Sequence, residues 1–131
     1  MSWDADFNGQ WWNYTHNTNR MLAAAYESVT GEQTEDCDHP LLGPAIGPTW
    51  YKRLDGMTAA ESIAYLGQII EGLRRDPDRY REMNPENGWG DYAGILRVLE
   101  AMRHAAVEAQ REEPARCPEC KADIRRWHVS G

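Results

Sequence analysis

The residues of this chain best suited to chemistry are its three cysteines. Cys117 and Cys120 are separated by two residues in "CPEC", and Cys37 lies in "CDH", two residues before His39. This spacing lets a tight turn point two thiolates at one ion, and three cysteines with one histidine form a tetrahedral zinc ligand set. We therefore predict a structural zinc ion bound by Cys37, His39, Cys117 and Cys120, with His128 as the alternative fourth ligand.

Two other states of the cysteines are open. A C-P-x-C motif also occurs in thioredoxin-like redox enzymes, where it follows a strand and opens a helix. Here the motif follows a helical pattern and Pro114, and the chain has no β-α-β pattern. Zinc binding is therefore favoured over redox chemistry. Free thiols, with His39 in solvent, are the remaining alternative.

Two polar segments, "NYTHN" and "NPENGWGD", each precede a predicted helix. His16 is a candidate general base, and His16, Asn17 and Asn87 would form a polar ligand-binding cluster if the segments meet. No serine or cysteine nucleophile accompanies them, and the glycines lack the spacing of a phosphate-binding loop. We assign no catalytic residue, and the pattern favours a binding protein over an enzyme.

Tryptophan is concentrated near the N-terminus. Trp3, Trp11 and Trp12 are three of the six tryptophans in the chain. An indole buries a large area and keeps one N–H donor, which suits protein cores and interfaces alike. Any single tryptophan is more often a core residue, but the cluster predicts a partner-binding surface at Trp3, Trp11 and Trp12.

The composition predicts a soluble, acidic protein. The 131 residues carry a net charge of −7, which argues against binding to nucleic-acid phosphates or to anionic membranes. No apolar run reaches the length of about 18 residues that a membrane-spanning helix needs. The first residues lack the basic and apolar regions of a secretory signal. We expect a cytoplasmic protein, and the sequence leaves its oligomeric state open.

The helices that must position these residues are predicted from apolar periodicity and from capping signals. Helical patterns follow Asn17, Thr58, Asp76 and Asp91, and Thr58 with Glu61 forms a capping-box motif. We predict a mainly α fold: a small helical bundle of three main helices plus a short one, with a C-terminal zinc-knuckle-like appendage. The tail "ADIRRWHVS" is a candidate short strand.

A single domain with three parts is predicted. Residues 1–16 form an aromatic N-terminal segment, residues 17–113 the helical bundle, and residues 114–131 the tail with the CxxC motif. Residues 31–56 are rich in glycine and proline and are predicted to be a long loop. A zinc ion bound by Cys37 and the tail would hold this loop in place.

Two phrases, "WWNYTHNTNRM" and "REMNPENGWGDYAGILRVLEAM", also carry a resemblance to known proteins. Their matching residues are Asn13, Tyr14, Thr15, Asn17, Asp76, Pro77, Tyr80, Asn84, Pro85, Asn87, Gly88, Trp89, Gly90, Asp91 and Tyr92. They resemble a group of small proteins from actinobacteria and their bacteriophages that have no assigned activity. The resemblance covers residues 11–103 and leaves out the cysteine-bearing tail. It implies an actinobacterial or phage origin and no mechanism.

These features favour a small cytoplasmic, phage-encoded module that binds a bacterial host or defence protein and contains a structural zinc ion. The alternative is a small-molecule or nucleotide-binding protein, or an enzyme, that uses the NYTHN and NPENGWGD segments. An acidic DNA mimic ranks last, because the carboxylates are scattered among arginines.

Overall fold

The computed structural model describes residues 2–30, 50–84, 88, 90–111 and 125–130 of the chain. In chain order the elements are β1 (Ser2–Phe7), β2 (Gln10–Thr15), α1 (Asn19–Thr30), α2 (Trp50–Leu54), α3 (Ala59–Arg75), α4 (Pro77–Glu82), α5 (Tyr92–Arg111) and β3 (His128–Ser130). A 3-10 turn at His16–Thr18 leads into α1. None of the helices described in these ranges is long and apolar enough to cross a membrane.

The first two strands form a β-hairpin around Asn8 and Gly9. Both turn residues have a positive φ, 51° and 82° respectively. Two-residue hairpin loops of this kind favour Asn-Gly, because asparagine tolerates a left-handed backbone and glycine has no Cβ to clash. Along β1, buried and exposed residues alternate, and Trp3, Ala5 and Phe7 point into the core. A period of two is that of a strand with one buried face.

The third strand comes from the other end of the chain. β3 pairs with the free side of β1, so the strand order is β2-β1-β3 and both pairs are antiparallel. The register places Ala5 of β1 between Trp12 and Val129. All three of these side chains therefore lie on the inner face of the sheet, which joins the hydrophobic core.

Backbone hydrogen bonds fasten β3 to the segment between α2 and α3. The N–H of Trp127 donates to the carbonyl of Met57 at 3.0 Å, and the carbonyl of Trp127 accepts from Gly56 at 2.8 Å. The N–H of Val129 donates to Asp55 Oδ1 at 3.0 Å. The outer edge of β3 is therefore occupied by the chain itself.

The helices pack with α3 against both α1 and α5. Their buried residues form one hydrophobic cluster with the inner face of the sheet. Where α1 and α3 meet, Gly72 lies so close to the backbone carbonyl of Ala25 that a Cβ would overlap it. Trp3 and Trp50 meet edge to face in this cluster, with ring centroids 5.0 Å apart.

The predicted starts of three helices are confirmed. Thr58 Oγ1 accepts from the N–H of Glu61, and Glu61 Oε1 accepts from the N–H of Thr58, which completes the capping box of α3. Asp76 caps α4, and Asp91 Oδ1 accepts from the N–H of Gly94 at 2.6 Å in the first turn of α5. These signals depend on residues within one turn of each other, so they are readable from sequence.

The predicted fold class is wrong. The chain is not a mainly α bundle with a zinc-knuckle-like appendage, because a three-stranded antiparallel sheet shares the core of the helices. The C-terminal end is not an appendage either, since Trp127 is fully buried and β3 pairs with β1. The candidate strand in "ADIRRWHVS" is confirmed at His128–Ser130. The helical periodicity used for the prediction could not detect strands in residues 2–15.

The predicted loop 31–56 is corrected at its C-terminal end, where Trp50–Leu54 form the short helix α2. Residues 31–49 lie outside the described residues.

Candidate functional site: the outer sheet face and the β2 edge

The solvent side of the sheet carries a polar surface with one large aromatic side chain. We call this surface the outer face; its residues are Ser2, Asp4, Asp6, Trp11, Asn13, Thr15, His128 and Ser130, all exposed except the half-buried Thr15. The antiparallel register arranges six of them in two rows across the strands. One row is Trp11–Asp6–His128, and the other is Asn13–Asp4–Ser130.

Trp11 is the exposed large apolar side chain of this surface. It is 62% exposed and lies on β2, at the end of its row. A single exposed apolar side chain is common on soluble proteins and needs no special explanation. What distinguishes Trp11 is its position on an edge strand of the described sheet, with the carboxylate of Asp6 as its cross-strand neighbour.

The other two tryptophans predicted to bind a partner lie on the opposite face. Trp3 is fully buried, which corrects the prediction for this residue, since a buried indole is not available to a partner. Trp12 is half-buried and packs against Trp127, with ring centroids 5.5 Å apart. Because successive residues of a strand point to opposite faces, Trp11 and Trp12 could not share one surface.

The backbone groups of Trp11 and Asn13 on β2 face away from the rest of the described sheet. In a two-residue hairpin the residues that flank the turn, here Phe7 and Gln10, exchange hydrogen bonds, and hydrogen-bonded pairs then alternate along the ladder. Trp11 and Asn13 fall in the pairs between them, so their N–H and C=O groups point away from β1. Among the described residues, no strand pairs with this edge.

β2 also lacks the features that commonly protect an edge strand. Its sequence, QWWNYT, contains no charged residue and no proline, and its register with β1 has no bulge. Lysine, proline and bulges are the usual means by which exposed edges avoid pairing with another chain. The opposite edge differs, because Asp55 and Met57 bind the outward N–H groups of β3 and Trp127.

The described parts of the NYTHN and NPENGWGD segments meet, as the ligand-binding alternative requires. Tyr14 Oη accepts from the backbone N–H of Asp91 at 3.1 Å. A Cβ on Gly90 would overlap the methyl group of Thr15, and one on Gly94 would overlap Tyr14 Oη. Glycine at these positions therefore allows the start of α5 to approach β2 closely.

The three residues predicted to form the ligand-binding cluster are only partly described. Asn17 is exposed, and its backbone N–H donates to Thr15 Oγ1 at 3.2 Å. The side chain of His16 and the whole of Asn87 lie outside the described residues. Nearby, Asn84 Oδ1 accepts from the N–H of Tyr92 at 2.8 Å, which caps α5. The cluster of His16, Asn17 and Asn87 stays a prediction.

An open groove of about 640 Å³ lies between α3 and α5, with Gly67, Ile70 and Val107 in its lining. Charged side chains on the rim of this groove form ion pairs with one another. Arg74 forms an ion pair with Glu100 across the groove. Exposed ion pairs of this kind are well solvated and contribute little energy, so the groove has the properties of an ordinary helix surface.

Two pKa shifts in the described part of the chain have structural causes. Burial raises the pKa of Tyr65 well above its ordinary value of 10.0, although the nearby Arg53 opposes this shift. Its hydroxyl donates to the carbonyl of Trp50 at 2.8 Å. Hydrogen bonds from the backbone and side chain of Thr58 lower the pKa of Glu61. The shift of the Tyr65 pKa therefore results from a buried contact, and that of the Glu61 pKa from a helix cap.

The four predicted zinc ligands Cys37, His39, Cys117 and Cys120 lie outside the described residues, so the zinc site stays a prediction. The alternative ligand, His128, is exposed on the outer face, opposite Asp6. The residues described elsewhere include no group of three or more His, Cys, Asp and Glu side chains placed to hold a metal ion.

Sequence reasoning missed Asp4, Asp6 and His128 as neighbours. The signal for the hairpin was present, because Asn-Gly flanked by alternating side chains is a strong hairpin pattern. It would have placed Asp4 and Asp6 beside Trp11 and Asn13. Nothing local indicated that β3 would pair with β1, because that contact joins the two ends of the chain.

Comparison with models of protein families, with curated proteins and with solved structures returned no match to this chain.

Proposed function

We propose that this chain is a phage-encoded protein-binding module whose bacterial partner adds an extended segment to the open edge of β2. The observation that carries the proposal is the asymmetry of the sheet. The edge at β3 is closed by Asp55 and Met57, whereas Trp11 and Asn13 present backbone groups outward from an uncharged strand. Strand addition to an exposed edge is a common mode of peptide recognition.

Trp11 would anchor such a segment. Backbone hydrogen bonds to Trp11 and Asn13 would give affinity without regard to sequence, and each such bond contributes about 1 kcal/mol net. Side chains of the added strand that lie on the outer face would pack beside the exposed indole. Tryptophan is among the residues that most often dominate binding energy at interfaces.

Substitutions at Asn13 separate the backbone from the side chain. Asn13→Pro removes the outward N–H, and proline is tolerated on an edge strand when its nitrogen faces solvent; Asn13→Ala keeps the N–H and removes only the amide side chain. Peptides of about ten residues, selected from a displayed random library on the wild-type protein, serve as probes. We expect Asn13→Pro to weaken their binding about tenfold and Asn13→Ala to leave it unchanged.

Two further measurements decide the outcome. Circular dichroism and urea unfolding must show that Asn13→Pro is folded, and amide exchange at Trp11 and Asn13 must slow when a selected peptide binds. Equal binding of the selected peptides to Asn13→Pro and Asn13→Ala would contradict the proposal. A molecular mass that doubles with concentration in the absence of peptide would assign the edge to a second copy of the chain instead.

A second candidate function is favoured by the hydrogen bond between Tyr14 and Asp91, which brings the NYTHN and NPENGWGD segments together. A small molecule or nucleotide would then bind at their junction. The test is a nucleotide titration followed by the amide resonances of residues 13–17 and 88–91. Saturable shifts that Asn17→Ala abolishes would support this function, and unchanged resonances would reject it.

A further inference from the structure

We propose that the segment recognised by the β2 edge alternates basic and apolar residues, with its basic side chains on the outer face. This inference rests on the proposed strand addition, and it specifies the chemistry of the partner. It follows from the charges beside the open edge and from the different character of the two faces of β2.

The row that contains Trp11 favours a basic side chain on an added strand. A strand added to β2 would lie about 4.8 Å from it and about 10 Å from β1. A lysine or arginine opposite Trp11 is long enough to lie along the indole and to bring its charged end near the carboxylate of Asp6. Cations stack favourably on tryptophan, and Asp6 is the cross-strand neighbour of Trp11 in the closer, non-hydrogen-bonded kind of pair.

The second row repeats the arrangement two residues further along. Asn13 is the uncharged residue at the edge, and Asp4 is the carboxylate behind it. Asp4 and Asp6 are both exposed, and the described outer face contains no lysine or arginine to neutralise them. Two carboxylates with a spacing of two residues match basic residues with the same spacing on an added strand.

The inner face of β2 requires a different kind of side chain. Trp12 and Tyr14 point inward and are half-buried, and they border the core at the sheet edge. Side chains of an added strand that point the same way would extend this apolar surface. We therefore expect basic and apolar residues to alternate along the partner segment. The net charge of −7 on this chain favours the approach of such a segment over that of an acidic one.

Three synthetic peptides of equal length test the inference: one alternating arginine and valine, one alternating threonine and valine, and one alternating glutamate and valine. We measure their binding by fluorescence anisotropy at low and at high salt. We expect the arginine peptide to bind about tenfold more tightly than the threonine peptide at low salt, with a smaller ratio at high salt. The glutamate peptide should bind most weakly.

A pair of matched variants locates the charge effect. The double variant Asp4→Asn with Asp6→Asn removes two outer-face charges and should bring the arginine and threonine peptides to equal affinity. The control, Asp78→Asn with Glu82→Gln, removes two exposed charges from α4 and should leave the preference in place. If the control abolishes the preference equally, the recognition is by net charge alone and the inference is overturned.

The outcomes also separate this inference from the function on which it rests. Equal binding of the arginine and threonine peptides, still sensitive to Asn13→Pro, would overturn the basic pattern and leave strand addition standing. Absence of binding by all three peptides would also overturn the basic pattern, and strand addition would then be decided by the selected peptides and their response to Asn13→Pro.

Discussion

Two buried hydrogen bonds join three helices through single residues. The hydroxyl of Tyr65 on α3 donates to the carbonyl of Trp50 on α2 at 2.8 Å. The indole N–H of Trp50 donates in turn to Asn19 Oδ1 on α1 at 2.9 Å. All three residues are buried. A substitution that removes one of these hydrogen bonds is therefore not readily compensated by a hydrogen bond to water.

We predict that Tyr65→Phe lowers the free energy of unfolding by about 1 kcal/mol at neutral pH, because it removes the buried hydrogen bond from the Tyr65 hydroxyl to the carbonyl of Trp50. The variant should also change the response to alkali. Since burial raises the pKa of Tyr65 in the folded state, its contribution to stability is complete below pH 10 and is lost as the pH rises beyond that value.

Urea unfolding between pH 7 and pH 11 measures both effects of Tyr65→Phe. Wild type should lose stability more steeply above pH 10 than the variant does. Parallel curves for the two proteins would contradict the assignment of the raised pKa to the buried hydroxyl.

The capping box of α3 makes stability depend on pH at the acidic end. Hydrogen bonds from Thr58 lower the pKa of Glu61 in the folded state from 4.5. Its ionised form therefore stabilises the fold above that pH, and the contribution is lost as the pH falls through the lowered folded pKa. We predict that Glu61→Gln flattens this part of the acid response, because glutamine keeps a capping oxygen but does not titrate.

Unfolding curves of wild type and Glu61→Gln from pH 6 to pH 2.5 test this. The stability difference between the two should narrow as the carboxylate becomes protonated. Thr58→Ala is the companion variant, and it should cost about 1 kcal/mol at neutral pH by removing the cap itself. A constant difference across the acid range would refute the role of Glu61 ionisation.

At the scale of elements, the packing of α3 requires glycine at position 72 but not at position 67. A Cβ at Gly72 would overlap the carbonyl oxygen of Ala25 on α1, whereas a Cβ at Gly67 would lie 3.2 Å from Arg103 Nε, near the end of a flexible, exposed side chain. The first neighbour is backbone in a packed interface and cannot move aside without shifting α1. The second can shift at little cost.

We predict opposite effects for the same substitution in this helix. Gly72→Ala should destabilise the protein by about 1–3 kcal/mol, because it forces α1 and α3 apart. Gly67→Ala should be neutral or stabilising by up to about 1 kcal/mol, because alanine favours helix more than glycine does. Thermal and urea unfolding of the two variants measure the difference. A Gly72→Ala variant as stable as wild type would contradict the close approach of α1 and α3 at Gly72.

Local sequence signals predicted some of the helices and strands and missed others. The starts of α3, α4 and α5 were predictable, because Thr58, Asp76 and Asp91 cap their helices through nearby residues. The β1–β2 hairpin was readable from Asn8 and Gly9 but was missed, because a search for helical period does not register an alternating strand. α2 has five residues, too few to show a helical period.

At the scale of the whole molecule, Trp127 joins the C-terminus to the rest of the core. It is fully buried and stacks on Phe7 with ring centroids 4.8 Å apart. We predict that Trp127→Ala lowers the free energy of unfolding by about 3–5 kcal/mol, the usual cost of deleting a buried aromatic side chain. The matched control, Trp11→Ala, should cost less than about 0.5 kcal/mol because this side chain is exposed.

Urea unfolding of the two tryptophan variants provides the comparison. A loss at Trp11 as large as that at Trp127 would contradict the placement of Trp11 on the outer face.

Zinc is the other whole-molecule prediction, and it comes from the sequence. Cys37 and His39 are separated from Cys117 and Cys120 by most of the chain, so one ion would connect distant segments. We expect close to one zinc per chain by elemental analysis, and a strong chelator should lower the melting temperature. A metal-free, fully folded protein whose Cys37 is readily alkylated would rule out the site.

Sequence alone determined the features that depend on near neighbours. Helix caps, the apolar stripe of α3 and the Asn8–Gly9 turn are properties of short segments, and the acidic net charge follows from composition alone. Tertiary structure decided which strand lies beside β1, which of the described tryptophans is exposed, and how closely Gly72 approaches Ala25. These features arise from pairings between residues far apart in the chain, and a shift of one residue in a strand would exchange its buried and exposed faces. The outer face exists because that register places Trp11 beside Asp6 and turns Trp12 inward.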